Sequence, residues 1–300
     1  MIVLLVLTYL TIYLFSQYLH GCFMHKINFE KKFTKNSIDK LPSNVMHKPV
    51  DFGFSLDVCD NTSVKVGIVD SGAINSEYYK FSKSHSRRRA ISFLEDEPGS
   101  YDQTGHSTAV AGIIAANGLG GITGLAPHST LYFARCLDGD NKGELSSLLS
   151  SILWCIIKKV DIIVISLGLR YRSRLLHDVI KKTYSKNICI FASSGNDYGA
   201  TRDAEFPARF NETFACGIGS SASHSDKDDI KSKKFFLNLK NNNITSLGLK
   251  NGFVNFSGSS SASPVVAGVA CHIIESYKRE KKDYTVNDIY SSLLSNFSAN

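Results

Sequence analysis

The sequence predicts an α/β protein with a doubly wound, mostly parallel central sheet and helices on both faces, a three-layer α/β/α architecture. Short runs that are apolar at nearly every position, such as "VKVGIVD" ending at Asp70 and "VDIIVISLG" over 160–168, read as strands buried on both faces. They alternate with segments whose apolar residues recur at helical spacing, such as "SSLLSSILWCIIKK" over 146–159. The chain has 300 residues, 43% hydrophobic and 20% charged, which is globular composition and enough length to bury one large core.

Met1 to Leu19 carry no charge, and this stretch is long enough to cross a bilayer or to act as a signal sequence. The expected division is an apolar signal or membrane-anchor segment over 1–21, a linker or arm over 22–44, and a folded domain over 45–300. A secretory signal usually opens with positive charge, and here the lysines come afterwards, at 26, 31, 32, 35 and 40. By the positive-inside rule a retained span would keep that flank cytoplasmic. The expectation is a membrane-associated or secreted protein, with membrane contact through residues 1–20 and the side of the membrane open.

The strand ending at Asp70 is followed by an "SG" turn and a polar, basic loop to about residue 100. "GHSTAVAGIIAA" (105–116) has the small and apolar residues of a buried helix, and "STLYFARCL" is a strand. After the helix over 146–159 and its strand come a helix at "RLLHDVIKKTYSK" and strands at "NICIFASSGN" and "TFACGIG". Residues 220–252 are Lys- and Asn-rich and read as long loops with one strand at "FFLNL". A helix is expected from Pro264 to about Lys278, then a closing helix capped at Thr285 or Asn287.

Several function classes find no support. The net charge of +7 is concentrated at Lys31-Lys32, Arg87-Arg88-Arg89 and Lys231 to Lys234, without interleaved aromatics, so solvated loops are expected and no nucleic-acid partner. The seven cysteines are odd in number, show no C-x-x-C spacing, and sit partly inside apolar runs. They read as small buried hydrophobes, and no metal site is assigned. "GLGGITG" (118–124) follows a helix rather than a strand, the wrong context for a phosphate loop.

Polar groups stand where a doubly wound sheet collects function, at the carboxyl ends of its strands. Asp70 ends one strand, Asn196 ends another, His106 opens a helix, and serines precede the last long helix. A serine hydroxyl needs an imidazole to take its proton as it attacks. The imidazole needs a buried carboxylate to hold its other N–H, and the resulting oxyanion needs preorganised donors.

From about residue 45 to the end, the chain resembles the subtilisin-like serine proteases (subtilases, peptidase S8). "VGIVDSG" is similar to the aspartate motif, "GHSTAVAG" to the histidine motif, "ASSGN" to the oxyanion motif and "GSSSASP" to the nucleophile motif, in the family's order. "SLG" (166–168) and "GLAP" (124–127) also match. The resemblance implies Asp70, His106 and Ser260 as the triad, Ser260 being chosen by its place two after the glycine and four before the proline, and Asn196 as oxyanion donor. Ser107 stands where the family usually has Gly, Ala109 where it often has a second His, and Ser261 where Met is common. No cofactor is required by this reading. Calcium, which the family often binds, stays possible but unsupported: Tyr79 stands where a ligand acid is often found, and Asn117 is the only side-chain oxygen near the start of the loop after the histidine helix.

The resemblance also implies a substrate pocket walled by Ser166, Leu167 and Gly168 and by Ser193, Ser194 and Gly195, with Glu205 at its floor before Phe206-Pro207 and Asp197 at its rim. A carboxylate at the base of a narrow pocket is costly to leave unpaired, so cleavage after Arg or Lys is expected. Asp138, Asp140 and Glu144, in the loop resembling the wall for upstream residues, fit a basic peptide. The expected partner is a peptide or protein substrate, and the expected state a monomer. Only about twenty residues separate the apolar stretch from the domain, fewer than a common prodomain needs, and with basic specificity this points to a processing protease. Leader-peptide proteases of lanthionine-peptide clusters are one such class. The alternative is a catalytically inactive subtilase-like peptide binder.

Overall fold

The computed structural model describes residues 36–38, 41, 43–56, 63–74, 89–95, 99–195, 204–218, 233–240 and 243–297. Among them the strands are β1 (Asn36–Ile38), β2 (Val45–Met46), β3 (Lys65–Asp70), β4 (Ala90–Ser92), β5 (Ile122–Thr123), β6 (Thr130–Arg135), β7 (Ile162–Ile165), β8 (Cys189–Ser193), β9 (Phe214–Ile218), β10 (Phe236–Leu239), β11 (Asn243–Leu247) and β12 (Phe253–Ser257). The α-helices are α1 (His106–Ala115), α2 (Leu145–Lys158), α3 (Arg174–Ser185), α4 (Ser259–Arg279) and α5 (Val286–Ser295). The main sheet has seven strands in the order β10-β9-β8-β7-β3-β6-β4. Every neighbouring pair in it is parallel, which gives the three-layer α/β/α fold the sequence predicts.

The two helical layers follow from strand alternation. Successive side chains of a strand point to opposite faces. Val66, Ile68, Ile162 and Val164 therefore join one core with Ala109 to Ala116 around α1, Ala262 to Ile274 of α4, and Val286, Ile289 and Leu293 of α5. Val69, Ile163 and Ile165 join the other core, with Leu148, Ile152 and Cys155 of α2 and Leu176 and Ile180 of α3. Gly67 makes room for this second layer: a Cβ there would lie 2.7 Å from Cys155 Sγ. The five described cysteines, at 136, 155, 189, 216 and 271, are free and buried, and burial raises each thiol's pKa. They pack as the small apolar residues the sequence implies.

The caps that set the helix starts are local. Ser173 Oγ accepts Leu176 N at 3.2 Å ahead of α3. Thr285 and Asp288 form a reciprocal capping box ahead of α5, so the cap is Thr285 and Asn287 lies inside the helix.

Two segments depart from the sequence reading. Much of the second half of 220–252 is a β-hairpin rather than loop: β11 pairs antiparallel with β12, and Lys250 and Asn251 turn the chain with positive φ of 54° and 58°. Ile244, Ser246 and Leu247 are buried, and Ser246 Oγ donates to Ala109 O at 2.7 Å, so contact with α1 stabilises a strand of weak local character. Residues 36–38, within the stretch read as a linker, add a third strand to this small sheet by pairing with β12. The other departure is α4, which starts at Ser259 and carries Pro264 inside it. Proline has no N–H to give to Ser260 O. That carbonyl instead accepts Ser166 Oγ at 3.3 Å, which offsets the lost helix bond.

Among the described residues no helix is long and apolar enough to cross a membrane. The apolar stretch 1–20 lies outside them.

Candidate active site

Asp70 is the last residue of β3, a central strand of the sheet, and is fully buried. Ser71 N donates to its Oδ1 at 2.7 Å. His106 is the first residue of α1 and is also buried, and its Nδ1 lies 2.8 Å from Asp70 Oδ1 and 3.0 Å from Oδ2. A carboxylate accepts only, so Nδ1 carries the proton and the neutral ring presents its lone pair at Nε2. The ring is held on another side by Phe256, edge-on with centroids 5.2 Å apart.

Ser260 is the second residue of α4, two after Gly258, whose φ of 80° and ψ of 177° suit glycine alone. Its Oγ donates to Ser166 O at 3.2 Å. Ser166 directly follows β7, and β7 pairs with β3 in a register that matches Ile165 to Val69. Asp70 ends β3 and Ser166 follows β7, and neighbouring strands run about 4.8 Å apart. The carboxylate that holds the imidazole and the carbonyl that holds the hydroxyl are side by side at the carboxyl edge of the sheet. The positive end of the α4 dipole lies at Ser260, an environment that favours negative charge.

The neighbouring serines each have a definite task. Ser259 Oγ accepts Gly195 N at 3.1 Å, which ties the segment after β8 to the start of α4. Ser261 Oγ donates to Gly258 O at 2.8 Å, and Ser263 Oγ lies 2.7 Å from Ser166 Oγ. Asn196 and Asp197 lie outside the described residues. The chain leading to them passes through Gly195, held in positive φ at 96°.

The residues expected to form the pocket converge. Leu169 N donates to Phe206 O at 2.7 Å and Phe206 N to Leu169 O at 2.8 Å, while Glu205 N donates to Ser194 O at 3.0 Å. The Glu205 side chain lies between the two wall segments. A Cβ on Gly168 would overlap Glu205 Oε2 and sit 2.5 Å from its Cβ, and one on Gly195 would sit 3.0 Å from its Cδ and Cγ. Both walls thus close on this carboxylate because both carry glycine where they meet it. The acidic loop is more self-contained. Asp138 Oδ1 accepts Asp140 N at 2.9 Å and Lys142 N at 2.8 Å, and Asp140 pairs with Lys142 at 3.3 Å.

The loop after α1 does not fit a calcium cage. It contributes no carboxylate, and Asn117 Oδ1 accepts Leu119 N at 3.0 Å. Among the described residues no group of three or more His, Cys, Asp or Glu could hold a metal ion.

One polar group escapes the sequence reading. Asp102, buried in the turn before α1, gathers hydrogen bonds from Ser71, Thr104, Gly105 and Thr108. The signal was its place four residues before His106 at a helix start, where an acid is favourable.

The fold and this arrangement define a subtilisin-like serine endopeptidase, a hydrolase. Residues 61–297 match the family described as "Subtilase family", and the chain belongs to that family. It is similar to the "Minor extracellular protease Epr" of Bacillus subtilis, at 32% identity over 69% of this chain and 31% of that protein. It is also 32% identical to the "Subtilisin" of Bacillus pumilus over 72% of this chain and 78% of that protein. "Subtilisin E" of Bacillus subtilis is 31% identical over 72% of this chain and 56% of that protein. The chain thus spans under a third of Epr and just over half of subtilisin E.

Proposed function

We propose that this protein cleaves peptide bonds through Asp70, His106 and Ser260, with Asn196 as oxyanion donor. The observation that carries the proposal is the buried pair of His106 Nδ1 with the Asp70 carboxylate, at 2.8 and 3.0 Å, together with Ser260 Oγ on the carbonyl of Ser166, which follows the strand next to the one that ends in Asp70. Ser260 Oγ turns from Ser166 O toward His106 Nε2 and attacks the scissile carbonyl carbon as Nε2 takes its proton. In such sites the nucleophile–base hydrogen bond often tightens only when substrate is bound. Asp70 keeps Nδ1–H in place and stabilises the imidazolium. The tetrahedral oxyanion accepts from Ser260 N–H and from the Asn196 side chain. The imidazolium protonates the leaving amine, and water then hydrolyses the acyl-enzyme with His106 again as base.

The side chain before the scissile bond enters between Ser166–Gly168 and Ser193–Gly195 and meets Glu205, with Asp197 at the rim. A substrate Arg or Lys pairs with Glu205, and this preference suits a processing role such as leader-peptide removal. No cofactor is needed for this chemistry, and the protein acts as a monomer on an exported or membrane-proximal substrate. Support for an exported location comes from the extracellular Epr protease and from the apolar stretch over 1–20.

Labelling with a serine-directed fluorophosphonate tests the nucleophile. Wild type is expected to label, and Ser260→Ala is expected not to. An unlabelled wild type that still binds peptides would instead make this chain a subtilase-like binder. Peptides with Arg, Lys, Leu or Phe before the bond test the pocket, and a Leu or Phe preference would end the basic-specificity reading.

A further inference from the structure

Behind the histidine lies a second carboxylate, and it touches both of the elements that bring the acid and the base together. Asp102 is 6% exposed. Its Oδ1 accepts Ser71 Oγ at 2.9 Å, Thr104 N at 3.0 Å, Thr104 Oγ1 at 3.3 Å and Gly105 N at 2.9 Å. Its Oδ2 accepts Thr108 N at 2.8 Å and Thr108 Oγ1 at 2.6 Å. Ser71 belongs to the exit of β3, whereas Thr104 and Gly105 lead into α1 and Thr108 lies in its first turn.

These bonds close a ring. Ser71 N donates to Asp70 Oδ1 at 2.7 Å, the oxygen that His106 Nδ1 meets at 2.8 Å. Ser71 Oγ, besides donating to Asp102, accepts the N–H of Ser107, the residue after the histidine, at 3.0 Å. The path runs from Asp102 to Ser71, to Asp70, to His106, along the first turn of α1 and back to Asp102. Asp70 and His106 are 36 residues apart in sequence, and the ring fixes where one helix start sits against one strand end. The charge matters too. His106 occupies the positive end of the α1 dipole, which opposes the imidazolium that must form during attack. A buried anion at the same helix end offsets that field.

We infer that Asp102 is a positioning residue for the reaction, setting the His106–Asp70 geometry from the side away from the nucleophile. The inference rests on the triad reading above. Around metal-bound histidines, replacing the group that orients the imidazole typically costs about 10–100-fold in affinity or activity, and a fall of the same order is expected for an imidazole oriented here. Asparagine at 102 would aim an NH2 group at several N–H and O–H donors, so the ring would open while the volume stays.

The test measures turnover per active site, with fluorophosphonate titration counting the sites in wild type, Asp102→Asn, Ser71→Ala and Ser71→Thr. For Asp102→Asn the expected result is a fall of about 10–100-fold in kcat per titrated site with KM within about threefold. For Ser71→Ala, which cuts only the relay, a smaller fall in kcat is expected, with recovery in Ser71→Thr, which restores the hydroxyl. A purely structural role would lower the number of titratable sites and leave kcat per site unchanged, and that result overturns the inference. Should Asp102→Asn fail to fold, the Ser71 pair decides: unchanged kcat per site in Ser71→Ala overturns the inference. A wild type that neither labels nor turns over removes the triad reading and this inference together, whereas an active wild type with indifferent variants removes this inference alone.

Discussion

Ser166 Oγ lies 2.7 Å from Ser263 Oγ and 3.3 Å from Ser260 O, so one hydroxyl at the end of β7 clasps the first turn of α4 at two points. Ser166 has a single proton, and directing it to Ser260 O makes Ser263 the donor to Ser166. The contact fills the gap that Pro264 leaves in the helix ladder and fixes the residue that carries the nucleophile.

Ser166→Ala is therefore expected to destabilise the fold by about 1–3 kcal/mol, because it strands a buried carbonyl and a buried hydroxyl. Ser263→Ala should cost less, since Ser166 can still donate to Ser260 O. Urea unfolding in a Ser260→Ala background, which prevents self-digestion, measures both. Equal or negligible losses would contradict the proton direction assigned here.

Glu205 gives the second prediction. A hydrogen bond to a charged group is worth about 1.5–3 kcal/mol, so Glu205→Gln should lower kcat/KM for substrates with Arg before the bond by about 10–100-fold. Substrates with Leu there should change little. Gly168→Ala should weaken Arg substrates as well, because the added methyl would overlap Glu205 Oε2 and force the carboxylate to move. A uniform loss across all four peptides, rather than a selective one, would remove Glu205 from the pocket floor.

Lys233 gives a stability signature in pH. Its Nζ donates to Ala208 O and, at 2.9 Å, to Thr213 Oγ1, which ties down the loop after Glu205. Burial lowers its pKa from 10.5 to about 7, against smaller raising effects from Cys216 and Glu212. Between pH 7 and 10.5 the unfolded chain holds a proton that the folded one has released, so this group makes stability rise with pH, by up to about 1.4 kcal/mol per unit. Below pH 7 its unfavourable contribution is complete and flat. Lys233→Met should flatten the rise from pH 7 to 9, as read from urea midpoints in the Ser260→Ala background. Parallel profiles would mean that Lys233 keeps its proton in that range.

At the last helix, Thr285 Oγ1 accepts Asp288 N at 3.3 Å while Asp288 Oδ2 accepts Thr285 N at 2.8 Å. Loss of such a cap costs about 1 kcal/mol, so Thr285→Ala should lower stability by that amount while kcat and KM stay unchanged. Thr285→Asn should restore most of the loss, and thermal unfolding of the inactive variants reads both.

The amino-acid sequence by itself determined the layers and the order of the chemistry. Runs such as "VGIVD" and "IIVIS" are apolar at every second position on both faces, and only a parallel sheet covered twice buries them. Local signals placed the rest of the frame: Asp70 at a strand end, His106 at a helix start, Ser260 between a glycine and a proline. Tertiary structure decided what depends on distant partners. Residues 243–247, inside the stretch 220–252 that looks like loop because Lys and Asn crowd it, become a strand once Ser246 and Ile244 are buried by contact with α1. Pro264 reads as a helix boundary until Ser166 supplies the missing partner from another strand. A lone aspartate in a polar turn says nothing of six hydrogen bonds, and whether Glu205 faces solvent or a pocket rests on two glycines, 37 and 10 residues earlier, that leave it room. Periodicity and caps are properties of neighbouring residues, so the chain displays them directly. The closing of a ring between residues far apart is a property of packing, and only folding supplies it.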